Sequence, residues 1–301
     1  MAEGSDLGSD TLDELAAAIH RYGRDYARYS ASHLWPRAAA ARRHVATLLE
    51  RRPTLRQRQD LSVAAAWLSV ILAWLAHDQG EHAIALGYAA DSRRRANEAG
   101  HQDVLAWAFD VESTIWFYTN LPQRAAHAAD AGLRHAAPSS SARHRLLLQR
   151  ARAHARRGRP DQSMGALTAT MSMQDSLPAV ARGLFAADAA RVHSCAATAH
   201  LALNNPHAAR EHASQAVELY SAADGVAPTR QAIALLDWAI SCAQLRHIDE
   251  AVAYGLRAVH TGRSAAAILA RGRELDAVLA SHATNEGDRF RDELARLAAP
   301  R

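Results

Sequence analysis

When the short turns of the chain are laid over one another, the helices before them carry Trp67, Trp107, Arg145, Arg191 and Ile233 at one position. Trp74, Thr114, Arg152, Thr198 and Ile240 stand seven residues later, two helical turns along the same face. Aromatic side chains therefore give way to arginines along one surface, and Asp110, Phe117 and Tyr118 project near the same stretch. Rigid rings supply apolar area, and guanidinium groups grip carboxylate or phosphate with two parallel hydrogen bonds. The set Trp67, Trp74, Trp107, Asp110, Thr114, Phe117, Tyr118, Arg145, Arg152 and Arg191 is thus expected to line a concave groove between the first and fourth repeats. Such a groove suits a small organic anion or a peptide carboxylate. The competing reading is that Trp67, Trp74, Trp107 and Trp116 only fill space between long helices.

Other side chains offer less. Asp110 or Glu112 could act as an acid or base if the groove belonged to a cyclase or isomerase of bacterial specialised metabolism, which is the enzymatic alternative. Glu112 and Arg150 occupy one position in neighbouring repeats and are expected to meet as a buried ion pair, structural or ligand-holding. Residues 143–159 hold seven arginines, and Arg93, Arg94 and Arg95 form a second cluster. Solvated faces account for both better than phosphate contacts do. His193 and His200 share a helix face but lack a third ligand at helical spacing, His207 and His212 point to different sides, and Cys195 faces away from His193. No metal site is expected, and no nucleotide-loop, Gly-x-Ser-x-Gly or His-Glu-x-x-His motif calls for a cofactor. The chain contains no lysine, which excludes Schiff-base chemistry.

The elements that must position these residues repeat five times. Turns at residues 79–81, 120–122, 157–159, 204–206 and 246–248 are each followed by a small residue, Ala85, Ala125, Ser163, Ala209 and Ala251, spaced by 40, 38, 46 and 42 residues. A period in this range marks stacked units that bury their apolar faces against neighbours. Alanine dominates, and Gly and Pro, 15 and 9 residues, sit mostly at breaks. The expected fold is all-α, a right-handed superhelical solenoid of about five helical hairpins at 60–99, 102–136, 142–172, 179–221 and 228–262. Residues 1–10 are expected to be disordered. Residues 11–58 form an N-terminal cap opened by a Thr11/Glu14 capping box, with a second helix started at Pro36. Breakers include Gly100, Pro138, Pro178, Gly225 and Pro228, and residues 263–298 form a C-terminal cap. The third hairpin is the least regular and has the longest exit loop.

These turns and alanines resemble tetratricopeptide repeats, most clearly in the fifth unit with Leu245, Ala251, Tyr254, Ala258 and Val259. The extra loop residues lengthen the usual 34-residue period. The order of the Trp-rich first repeat, Asn97-Glu98-Ala99-Gly100, a second Trp-containing helix and Asn120-Leu121-Pro122 is similar to the sensor region of actinobacterial regulators with a lambda-repressor-like helix-turn-helix. That resemblance implies a non-enzymatic regulatory sensor or adaptor. No DNA-binding domain fits within the first ten residues, which argues against direct operator contact.

Charge and targeting signals are quiet. A net charge of +4 with 17 neutral histidines is mildly basic and permits nucleic acid without implying it. Cys195 and Cys242 follow no disulfide or metal spacing, so reduced buried thiols are expected. The acidic start lacks a signal-peptide pattern, and the apolar run at 63–76 is short for a membrane span. A cytoplasmic protein is expected, with a groove ligand and a protein partner or second copy as binding partners.

Overall fold

Five residues in the left-handed backbone region close the five hairpins: Gly80 (φ 82°), Asn120 (φ 60°), Gly158 (φ 63°), Asn204 (φ 57°) and Arg246 (φ 64°). Glycine and asparagine reach this region at low steric cost, whereas Arg246 meets the usual side-chain penalty. The next residue in each turn donates its N–H to a carbonyl five residues back: Glu81 to Ala76 at 2.9 Å, Leu121 to Trp116 at 2.8 Å, Arg159 to His154 at 3.0 Å, Asn205 to His200 at 2.9 Å and His247 to Cys242 at 2.9 Å. This is the Schellman closure, which satisfies carbonyls that a helix end leaves free. One repeated turn therefore sets one repeated reversal of the chain.

The computed structural model describes residues 9–173, 177–223, 227–262, 264–282 and 285–299. Of the expected disordered start, residues 1–8 lie outside these, as does the breaker Gly225. The described residues form fourteen helices and no strand. An N-terminal pair, α1 (Ser9–Asp25) and α2 (Ala31–Glu50), leads into five hairpins. These are α3 (Leu55–Asp78) with α4 (His82–Glu98), α5 (Gln102–Tyr118) with α6 (Pro122–Leu133), α7 (Ser141–Arg156) with α8 (Pro160–Met171), α9 (Ala189–Ala202) with α10 (Pro206–Ala222), and α11 (Pro228–Gln244) with α12 (Ile248–Val259). A last pair, α13 (Ala266–Ala280) and α14 (Asn285–Ala298), follows. The fold is a tetratricopeptide-like helical solenoid.

Three local expectations are corrected. Helix α1 already includes Ser9, so Thr11 is inside it; a capping box forms instead at Thr54, whose N–H and hydroxyl exchange bonds of 3.0 and 3.3 Å with Gln57. Pro36 lies within α2, because the Ser30 hydroxyl caps the His33 N–H at 3.3 Å and starts the helix earlier. The fourth hairpin begins at Ala189 and not at 179, because residues 177–188 run without regular structure as a strap.

Small residues let the helices approach. Ala85, Ala125, Ser163, Ala209 and Ala251 are fully buried at the hairpin crossings. Helix α3 is long and apolar enough to cross a membrane, yet 72% of its most apolar window is buried inside the protein. The chain curves until α13 packs on α11 and also touches α3 and α5, so the concave faces of α3, α5, α7, α9, α11 and α13 surround a common centre.

At Gly255 on α12 an added Cβ would stand 2.7 Å from Leu275 and 2.9 Å from Phe290, both fully buried side chains. Gly255→Ala should therefore lower the unfolding free energy by about 1–3 kcal/mol through overpacking, read by urea denaturation. An unchanged midpoint would show that the C-terminal pair does not dock in this way.

Candidate functional site

The centre of the solenoid is built around one buried cation. Arg145, on α7, is 1% exposed and its Nη2 donates to Asp110 Oδ2 on α5 at 2.6 Å. Its Nη1 donates to the Leu184 carbonyl of the strap at 2.9 Å. The guanidinium lies over the Trp74 ring at 5.2 Å and the Trp107 ring at 5.3 Å, a cation–π arrangement that offsets lost hydration. Burial, together with the neighbouring Arg191 guanidinium, pushes Arg145 down to about 10. Gln149 binds the second Asp110 oxygen at 3.0 Å and also reaches Thr114, whose hydroxyl donates to the Asp110 backbone carbonyl at 3.0 Å.

Beside this pair lies a cavity of about 100 Å³. Its walls include Trp74 and His77 of α3, Tyr118 of α5, Arg152 of α7, Arg191 and Cys195 of α9, Tyr220 of α10 and Arg230 of α11. Arg152 donates to Gln149 and, at 3.5 Å, to the Tyr118 hydroxyl, with its guanidinium 4.4 Å from the centre of the Phe117 ring. Among the described residues neither Arg152 nor Arg191 pairs with a carboxylate. Several buried polar atoms find no hydrogen-bond partner among the described residues: Nε of Arg145, Arg152 and Arg191, Nε1 of Trp74, both ring nitrogens of His77 and the Tyr220 hydroxyl. Most buried polar atoms in folded proteins are satisfied, so this concentration around one cavity is unusual. Burial, with Asp188 and Cys195 adding to it, raises the Tyr220 phenol, which stays protonated and able to donate.

Arg230 and Asp188 form an ion pair, and Arg230 also donates to the Ala181 carbonyl of the strap at 2.8 Å. On the far side Arg271 joins Asp237 and Glu274, and Arg156 reaches the same Glu274. Tyr26, in the turn after α1, donates to Asp78 at 2.6 Å.

The strap runs along the groove next to the cavity. The Leu184 N–H donates to the Gly23 carbonyl at 2.8 Å, and Phe185 enters edge-on between Trp67 (4.8 Å) and Trp107 (5.2 Å). A side chain at position 23 would come within 3.2 Å of the Phe185 ring.

The sequence-derived set thus divides. Trp74, Thr114, Tyr118, Arg145, Arg152 and Arg191 share the cavity, and Asp110 stands behind Arg145. Trp67 and Trp107 flank Phe185 in the adjoining groove, and Phe117 packs under Arg152 and Arg156. The expected Glu112–Arg150 pair does not form: Glu112 binds Arg93 at 3.0 Å and Arg150 binds Asp130 at 3.1 Å, because both positions face the second helices of the hairpins. Asp110 and Glu112 accordingly lie on opposite sides of α5, and both Asp110 oxygens are engaged. The arginine run also splits, with Arg145 and Arg152 buried and Arg157 and Arg159 exposed. His193 and His200 gain His212 of α10 as a neighbour, 3.0 Å from His193 through their Nδ1 atoms and stacked on His200; among the described residues no cluster of three metal-ligating side chains has metal-binding geometry. Sequence reasoning missed Tyr26, His77, Tyr220, Arg230 and the strap, which come from helices and loops outside the aligned positions. Both cysteines are free and buried.

No protein-family model matches the chain, and no curated protein matches it in sequence. Among solved structures it is similar to a Rap protein crystallised with Competence and Sporulation Factor, at TM-score 0.61 and 10% identity over 96% of this chain and 86% of that one. The apo quorum sensor NprR from B. thuringiensis matches at TM-score 0.51 and 13% identity over 96% and 98% of the two chains. BtubC from P. vanneervenii matches at TM-score 0.54 and 13% identity over 77% and 91%. At these identities the likeness is one of fold.

Two measurements test this geometry. Burial, with His82 and Arg152 adding to it, pushes His77 down to about 3. The unfolded chain then binds a proton below about 6.5 that the folded chain refuses, so stability present above that pH is lost on acidification. The melting temperature of His77→Gln should fall less than that of the wild type between about pH 7 and about pH 4.5; parallel curves would refute the buried neutral imidazole. Phe185→Ala should accelerate limited proteolysis within residues 177–188 while the far-ultraviolet circular dichroism stays unchanged, and equal cleavage rates would show that the strap is not held by this ring.

Proposed function

We propose that this chain is a cytoplasmic, non-enzymatic regulatory sensor that binds a ligand, a small molecule or a peptide, within its concave face. The observation that carries the reading is the pair Arg152 and Arg191, cations without a carboxylate partner beside a cavity with aromatic walls. Arg152 is buried and Arg191 half-buried; an unpaired buried charge costs several kcal/mol, a cost that a ligand's counter-charge would offset. The Rap protein and NprR add support at the level of architecture: one was crystallised with Competence and Sporulation Factor, and the other is a quorum sensor.

The ligand would act on shape. Helices α3, α5, α7, α9, α11 and α13 all reach the centre, and the strap is tied to it through Arg145 and Arg230. A ligand that binds one curvature more tightly than another shifts the population by that differential affinity. The outer surface would then present the change to a protein partner or a second copy. Direct DNA contact is not part of this reading.

Native mass spectrometry of the protein purified from its own host, before and after denaturation, tests it. A released compound that is lost in Arg152→Ala supports a ligand sensor; a co-purifying protein retained by Arg152→Ala would make the chain an adaptor instead.

A further inference from the structure

We infer that the occupant of the central cavity is a compact organic monoanion, a carboxylate carried on a ring or short branched chain, and not a peptide. The inference rests on the sensor reading and narrows it to one ligand class.

Size comes first. The cavity is about 100 Å³, and engineered cavities of about 150 Å³ hold a molecule such as benzene. Peptide recognition along a solenoid needs an extended groove, and the open groove of about 920 Å³ lined by Trp67, Trp107 and Phe185 is set off from the cavity by the strap residues Gly183 and Leu184, which border both. Phe185 occupies the space between Trp67 and Trp107, and the strap backbone takes the Gly23 carbonyl and the Arg145 guanidinium. The strap therefore separates that groove from the central cavity, which is too small for an extended peptide.

Charge comes second. Four guanidiniums line the chamber, those of Arg145, Arg152, Arg191 and Arg230. Against them stand Asp78 in the wall and Asp110 and Asp188, which pair with Arg145 and Arg230. The more distant Asp237 is matched by Arg271. One positive charge is in excess, and the two arginines without carboxylate partners, Arg152 and Arg191, carry it. A single carboxylate with two oxygens answers two guanidiniums through charge-assisted hydrogen bonds.

The neutral wall supplies the remainder. The Trp74 indole N–H, the Tyr220 hydroxyl and the His77 ring each hold a buried polar atom without a hydrogen-bond partner among the described residues. The Tyr118 ring faces His77 at 5.6 Å between centroids. Flat apolar faces with a few convergent donors suit a ring or branched alkyl body and leave no second cation pair for a dianion.

The test uses the intact chain with benzoate, phenylacetate and isovalerate as probes. Benzamide and phenylacetamide serve as neutral isosteres, phenyl phosphate as a dianion, and acetylated pentapeptides with a free C-terminal carboxylate as the peptide arm. Calorimetry and thermal shift should show saturable one-to-one binding of at least one monocarboxylate, with its amide and phenyl phosphate weaker by about tenfold or more. Arg191→Met and Arg152→Met should each weaken that carboxylate by about tenfold or more. Because Arg191 pairs with no carboxylate, Arg191→Met is expected to keep or raise the melting temperature, which separates lost binding from misfolding. Peptide binding in place of carboxylate binding would overturn this inference and leave the sensor reading standing. Amides binding as well as acids, or no probe binding at all, would also overturn it, while the native mass spectrum tests the sensor reading independently.

Discussion

A buried guanidinium holds this molecule's centre together. Arg145 gives up hydration that a single carboxylate barely repays, so its position depends on everything around it at once: Asp110 from α5, two indole faces from α3 and α5, and a strap carbonyl. Each of these partners fixes a different element relative to α7. A cation that can be satisfied in only one arrangement selects that arrangement, which is how a costly interaction specifies the way the helices meet.

The solenoid makes such an interaction available by a simpler rule. A left-handed residue and a Schellman bond end the first helix of every hairpin, so each first helix returns to the concave side with the same face inward. Alanines at the crossings keep the helices close, and the curvature carries α13 back to α3 and α5. The curvature turns what would be a broad groove into a small, partly enclosed cavity. In it charges interact through a medium less screening than water, and the nearby Arg191 accordingly acts with burial to lower the proton affinity of Arg145.

The strap gives the centre a second boundary. It is irregular, yet it is anchored at Gly23, at Arg145 and at Arg230, and Phe185 seats it between two tryptophans. Arg145 and Arg230 line the cavity as well, so the same side chains border it and hold the strap. Fold alone would not specify this: similar solenoids differ in what their concave side chains bind.

The repeat, its turns and the inward face were legible in the sequence, because a left-handed turn needs Gly or Asn at most positions and a close crossing needs a small residue; both are local requirements written in residue type. The same face read seven residues apart found Trp74, Arg145, Arg152 and Arg191 for the same reason. What local rules could not decide was partner choice. Glu112 and Arg150 share a repeat position but turn to Arg93 and Asp130, while Asp110, two residues along, takes the buried cation. Nor could they place Phe185, Tyr26, His77, Tyr220 or Arg230, which meet the site only because the superhelix curls and a loop without periodicity crosses it. Side-chain periodicity sets which way a residue faces; long-range packing sets what it finds there.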